Sequence, residues 1–224
     1  MLRWWVKHVF SRIFKPMARW YSSKDRAYRY KGIRIQVGAG VFHPGLFFST
    51  GFLLEWIENQ PIEGRKILEL GAGSGLLSFV AARAGAVVTA TDISPQVVRY
   101  LQQNQLSTGL PLNILHSDLF EQIPAQASFD LVVINPPYYP ANPANESQQA
   151  WFCGSNFQYF KRLFEGLSNR EFGQAVMVLS EDCEVETIRQ IALNYGFILR
   201  LEAQKTILWE TNLIYALDLA PQKA

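Results

Sequence analysis

From residue 66 onward the sequence alternates strand-like apolar runs with helix-like amphipathic ones, and this alternation restricts the fold to helices layered on a parallel sheet. KILEL (66–70) reads as a strand and LLSFVAARA (76–84) as a helix. VVTATD (87–92) is a strand, PQVVRYLQQNQ (95–105) a helix and LNILHSD (112–118) a strand. FDLVVIN (129–135) is continuously apolar, as befits a strand covered on both faces. Beyond it, Phe157 to Leu167 reads as a helix, QAVMVLS (174–180) as a strand and EVETIRQIALNYG (184–196) as a helix ending at Gly196. FILRLEAQ (197–204) and LIYALDL (213–219) are two last strands, joined closely enough to pair antiparallel. Upstream, Ile33 to Val37 reads as a short strand, and VFHPGLFFSTGFLLEWIE (41–58) as a loop running into a helix that ends near Asn59.

The 224 residues suffice for one domain with a full core, and 49% apolar against 18% charged residues is a globular composition. No run of about 18 uninterrupted apolar residues suggests a membrane-spanning helix. MLRWWVKHVFSRIF, broken by Arg3, Lys7 and Arg12, does not read as a secretory signal. Two cysteines, Cys153 and Cys183, and three histidines form neither a metal-ligand pattern nor a disulfide framework, so no metal and a reducing cytoplasm are expected. Charge is unevenly spread. Residues 1–34 hold ten Lys/Arg and one acid, Asp25, whereas residues 35–224 hold eleven Lys/Arg and eighteen acids. The division expected is a basic, aromatic extension over 1–30 and a catalytic domain over 31–224. In the extension Val6, Phe10, Ile13, Met17 and Trp20 recur at helical spacing, with Pro16 set to kink any helix. Such a segment suits an anionic surface or a partner, or folds back on the domain.

Three features point to a nucleoside-bearing cofactor. ILELGAGSG (67–75) carries a strand into a helix through Gly71, Gly73 and Gly75, a turn that lets a ligand approach backbone and helix N-terminus. Asp92 ends the next strand, where a carboxylate can accept both ribose hydroxyls, while Ser94 before Pro95 is the better helix cap. Asp118 ends the third strand, where it can receive an adenine amine, with Leu119 and Phe120 flanking the ring. These features fit NAD as well as S-adenosylmethionine. The strand FDLVVI then runs into Asn135-Pro136-Pro137-Tyr138, which a dehydrogenase leaves without a task. Two prolines fix the backbone and remove two donors, leaving carbonyls, and Asn135 adds a side-chain acceptor. Two acceptors hold the two hydrogens of an –NH2 group, and Tyr138 can pack on the flat group that carries it.

LELGAGSG, TDIS, SDLF and NPPY, in this order and spacing, resemble the class I S-adenosylmethionine-dependent methyltransferases. More narrowly they resemble the small methyltransferase domain of the HemK/PrmC group, which methylates glutamine in translation release factors. Residues 41–58 resemble that group's segment before the glycine motif, and FCGSNF has Gly154 but Phe157 where a second glycine is expected. The resemblance, over roughly residues 30–218, implies a Rossmann-like α/β fold. Its sheet is mostly parallel and seven-stranded with an antiparallel last hairpin, and helices cover both faces. It implies S-adenosylmethionine as cofactor, held by Glu69, Gly71, Ala72, Gly73, Gly75, Asp92, Ile93, Asp118, Leu119 and Asn135. It implies Asn135, Pro136, Pro137 and Tyr138 as the catalytic set, and a glutamine side chain of a protein, such as a translation factor, as first acceptor. NPPY also occurs in adenine-N6 and guanine-N2 methyltransferases, so RNA or DNA is the alternative acceptor, favoured by the basic aromatic N-terminus. A non-catalytic, cofactor-binding partner subunit is a further reading. His43 and His116 are not expected to act as bases.

Overall fold

The computed structural model describes residues 21–208 and 210–221. The amphipathic helix expected over the first twenty residues lies outside them. The described chain opens with a hairpin, β1 (Arg26–Tyr30) and β2 (Ile33–Val37), paired antiparallel from Arg26↔Val37 to Tyr30↔Ile33. Only β2 is legible in the sequence, because β1 (RAYRY) has no apolar alternation of its own. The hairpin therefore crosses residue 30, where composition divides extension from domain. Ile33, Ile35 and Val37 point into the core.

Helix α1 (Phe48–Glu58) follows. Then come β3 (Lys66–Leu70), α2 (Leu76–Arg83), β4 (Val87–Asp92), α3 (Pro95–Thr108), β5 (Asn113–His116) and β6 (Phe129–Ile134). A one-turn helix, α4 (Glu146–Gln149), interrupts the next loop. The chain closes with α5 (Gln158–Ser168), β7 (Phe172–Ser180), α6 (Val185–Asn194), β8 (Phe197–Ile207) and β9 (Glu210–Leu219). Ser94 caps α3 with Pro95 in its first turn, and Gly196 ends α6 at φ +83°.

Seven strands form one sheet in the order β5-β4-β3-β6-β7-β9-β8. β3 to β7 run parallel; β9 is antiparallel to both neighbours, and β8–β9 is the expected terminal hairpin with a register shift between Leu201 and Ala203. The expected class I architecture is therefore present. Side chains alternate along each central strand, so the sheet splits the core in two. Ile67, Leu131, Val133, Val176 and Val178 pack under the hairpin and α1–α3. Leu68, Leu70, Val132, Ile134, Met177 and Leu179 pack under α5 and α6. No helix among the described residues is long and apolar enough to cross a membrane.

Candidate active site

β3 has β4 on one side and β6 on the other, so the strand order reverses beside it, and loops from the two halves part at the carboxyl edge. A cavity of about 500 Å³ opens there. Its wall contains Glu69, Gly71, Ala72, Gly73, Asp92, Ile93, Asp118, Leu119, Asn135, Pro136, Pro137 and Tyr138. Of the residues assigned from sequence, Gly75 and Phe120 are absent from the wall.

The turn from β3 to α2 needs its glycines for different reasons. Gly71, Gly73 and Gly75 sit at φ +69°, +53° and +72°, in the left-handed region. A Cβ on Gly71 or Gly73 would meet no atom within 4 Å, so their missing side chains leave open space beside the cavity. A Cβ on Gly75 would lie 2.2 Å from Leu101 Cδ2 and 3.2 Å from the Phe79 ring. The Gly75 position is thus explained by packing between α2 and α3 rather than by ligand contact.

Two buried carboxyls face this turn. Glu69 Oε2 accepts the Ser78 N–H at 3.0 Å and the Ser78 hydroxyl. Burial pushes its pKa up to about 8, against the Ser78 hydrogen bonds and with some help from the Asp92 charge. Asp92 Oδ2 accepts the Gly73 N–H and Oδ1 the Ser94 N–H, both at 2.9 Å. Burial raises its pKa too, opposed by those N–H bonds. Each Asp92 oxygen keeps a lone pair for a ligand hydroxyl. Open backbone at Gly71 and Gly73, with two buried carboxyls next to it, fits a hydroxyl-bearing cofactor such as S-adenosylmethionine.

At the end of β5, Asp118 Oδ2 pairs with Arg162 at 2.8 Å, and Arg162 also reaches Glu121 at 3.1 Å. Leu119 is left-handed at φ +49°, a strained conformation for a branched residue, with its carbonyl accepting the Ser117 hydroxyl at 2.9 Å. Phe120 does not flank the cavity as the sequence suggests. Its ring lies against Gly166, under the Arg170 guanidinium, inside the second core cluster. Tyr159 takes a place in the wall instead; burial raises its pKa, and the charges of Asp92 and Asp118 raise it further.

The NPPY segment follows β6. Asn135 Nδ2 donates to Thr50 Oγ1 at 3.4 Å, which commits the amide nitrogen to α1 and leaves Oδ1 as an acceptor. Tyr138 is buried, edge-on to Tyr139 at 4.9 Å and 63°. Tyr139 N–H donates to the Trp151 carbonyl and its own carbonyl accepts Cys153 N–H, both at 3.0 Å, so a second loop is stitched to the segment. Thr50, Tyr139, Trp151, Tyr159 and Arg162 were not assigned from sequence. Thr50 lay within the segment 41–58 already singled out, the one available signal. His43 and His116 are not among the wall residues; His43 Nδ1 accepts the Gly45 N–H and His116 Nε2 bonds the Ile93 carbonyl.

A doubly wound sheet with this cavity at its switch point is the architecture of a class I S-adenosylmethionine-dependent methyltransferase. The family model described as methyltransferase small domain matches residues 32–153, over half of the chain, and the chain belongs to that family. The tRNA1(Val) (adenine(37)-N6)-methyltransferase of Flavobacteriaceae bacterium (strain 3519-10) is 29% identical over 129 residues, 56% of this chain and 54% of that protein. The release factor glutamine methyltransferase of Bordetella pertussis is 34% identical over 97 residues, 42% of this chain and 35% of that protein. The chain thus spans about half the length, or less, of such relatives. Among solved structures, the 16S rRNA N2 G1207 methyltransferase of T. thermophilus, in complex with AdoMet and guanosine, superposes with a TM-score of 0.60 at 22% identity, covering 86% of this chain and 50% of that one.

Proposed function

We propose that this protein methylates the nitrogen of an –NH2 group carried on a flat sp² carbon, with Asn135 and the Pro136 carbonyl as the acceptor clamp. The observation that carries this reading is the Asn135–Thr50 contact, which engages one of the amide's two N–H bonds, turns the nitrogen towards α1 and leaves the oxygen to accept. A second acceptor comes from the proline backbone, which has no N–H to offer in competition. Two acceptors orient both N–H bonds of the incoming group and favour a pyramidal nitrogen with an exposed lone pair. They also stand where positive charge develops on that nitrogen. No base is needed for the attack, because the proton leaves afterwards. Bound S-adenosylmethionine supplies the methyl group, carried on its sulfonium; Glu69, Gly71, Ala72, Gly73, Asp92, Ile93, Asp118 and Leu119 are the residues that hold it. Holding the two reactants in attack geometry contributes much of the rate.

A glutamine amide and a nucleobase amine both present the group this clamp accepts. The release-factor relative supports the first and the tRNA adenine relative the second. The proposed catalytic domain is 31–224 together with β1 (Arg26–Tyr30), and the residues before the hairpin are an appended basic segment. The test uses the full chain with methyl-labelled S-adenosylmethionine and fractionated extract from cells lacking the gene. An N-methyl product is expected. Asn135→Ala should lower turnover about 100-fold or more while changing cofactor affinity little. An O-, S- or C-methyl product would overturn the proposal, and so would an unchanged Asn135→Ala turnover. Methyl transfer by the isolated chain also excludes the partner-subunit reading.

A further inference from the structure

Three aromatic side chains pack together, two of them, Phe42 and Trp151, in the cavity wall. Phe42 and Phe47 stack at 4.0 Å and 29°. Trp151 leans on both, 5.0 Å from Phe42 at 50° and 4.9 Å from Phe47 at 73°. All three are half-buried, and Phe42 and Trp151 share the cavity wall with Asn135 and Pro136. Two links tie the trio to the clamp. Phe42 and Phe47 belong to the segment entering α1, whose Thr50 accepts from Asn135. Trp151 is held through its carbonyl to Tyr139, one residue past NPPY. Tyr138, to which the sequence gives the flat face of the acceptor, is only 9% exposed and turns its ring against Tyr139. Trp151 and Phe42 add a half-buried flat apolar surface to the same wall.

We propose that Phe42 and Trp151, backed by Phe47, form a stacking subsite for a heterocycle, so that the acceptor is the exocyclic amine of a nucleobase; this rests on the N-methylation reading above. Contact between two loops could be made by any apolar side chains, but rings alone provide π faces for a planar partner. A glutamine reaches the clamp on a narrow methylene arm and has no ring to lay on them. A base carries its amine directly on a ring that does. Stacking of a base on an aromatic side chain is worth roughly 5- to 150-fold in affinity and tolerates sequence. Phe42 and Trp151 are too close for a ring to lie between them, since a sandwich needs about 7 Å, two contact distances. The base stacks on the side of Phe42 and Trp151 that faces the cavity. Arg162, a cation in the same wall, is engaged by Asp118 and Glu121.

The experiment uses the full-length protein, labelled S-adenosylmethionine and the protein, RNA and DNA fractions of an extract lacking the enzyme. Trp151→Leu, Trp151→Phe and Phe42→Leu are compared with wild type, and titration with S-adenosylhomocysteine reports that each variant is folded. Label is expected in nucleic acid as an N-methyl base. Trp151→Leu and Phe42→Leu should raise KM for that fraction tenfold or more, with S-adenosylhomocysteine affinity within about twofold of wild type. Trp151→Phe, which restores a ring, should recover most of the loss. Label in protein as N-methylglutamine overturns the subsite and leaves the N-methylation reading standing. Label in nucleic acid with an unchanged KM for Trp151→Leu also overturns it. An O-, S- or C-methyl product, or no label in any fraction, defeats the N-methylation reading itself.

Discussion

Glu69 is a carboxyl whose proton the fold holds tightly. Its pKa is pushed from an ordinary 4.5 to about 8, chiefly by burial. The folded form therefore binds this proton more tightly than the unfolded chain does. The resulting stabilisation is whole below about pH 4.5 and is lost as the pH climbs towards 8. Glu69→Gln mimics the protonated form, so the stability of wild type relative to this variant should fall across that window. Denaturation midpoints of both proteins at several pH values measure it; parallel profiles would contradict it. A cationic ligand keeps a nearby carboxylate ionised. Binding of S-adenosylmethionine should then release a proton between those pH values, and affinity should rise with pH in wild type but not in Glu69→Gln. Calorimetry in buffers of differing ionisation enthalpy counts that proton. Asp92 offers a second check. Asp92→Ala should weaken S-adenosylmethionine binding by about 1.5–3 kcal/mol, the worth of hydrogen bonds to a charged group, and wild type should not bind NAD comparably.

At the scale of elements, the β3–α2 turn joins two requirements in one glycine motif. Gly73→Ala puts a methyl into open space beside the cavity at φ +53°; Gly75→Ala puts one onto Leu101 at φ +72°. Both incur left-handed strain of about 1–2 kcal/mol. Gly75→Ala adds overpacking of roughly 1–3 kcal/mol. Thermal denaturation should show the larger loss for Gly75→Ala, and cofactor titration the larger loss for Gly73→Ala. The reverse ranking would return Gly75 to the ligand. The start of α5 teaches a related lesson. Phe157 stands where the family pattern expects glycine, and it adopts φ +55°, the conformation glycine would take freely. Its ring is buried in the second core cluster, which offsets that strain.

For the molecule as a whole, the N-terminal hairpin decides where the domain begins. β1 covers β2, Tyr28 and Tyr30 pack on the first core cluster, and the Tyr30 hydroxyl donates to Glu58 at 3.1 Å. Chains starting at residue 21 and at residue 31 should both fold and bind the cofactor, because the cavity wall begins at Ala39. The shorter one loses five cross-strand pairs, worth about 1–5 kcal/mol together. Chemical denaturation of the two truncations compares them directly, and equal stability would place the boundary at residue 30 as composition suggests.

The strand and helix order from residue 66, the glycine turn, the acidic strand ends and NPPY are all legible along the chain. Each is written locally, as a hydrophobic period or as residues that fix φ or remove a donor. Even β9, inserted between β7 and β8, was half legible as a hairpin, although nothing local says which of its strands meets β7. β1 was hidden because a basic strand acquires its apolar neighbours only once β2 is in place. Tertiary structure alone set Thr50 on Asn135, 85 residues away, and Trp151 on Phe42. It also moved Phe120 and Gly75 out of the cavity wall and buried Tyr138. Such outcomes depend on which loops close against which, and on what volume each side chain fills when they do. Neither is recorded in the spacing of residues along one segment.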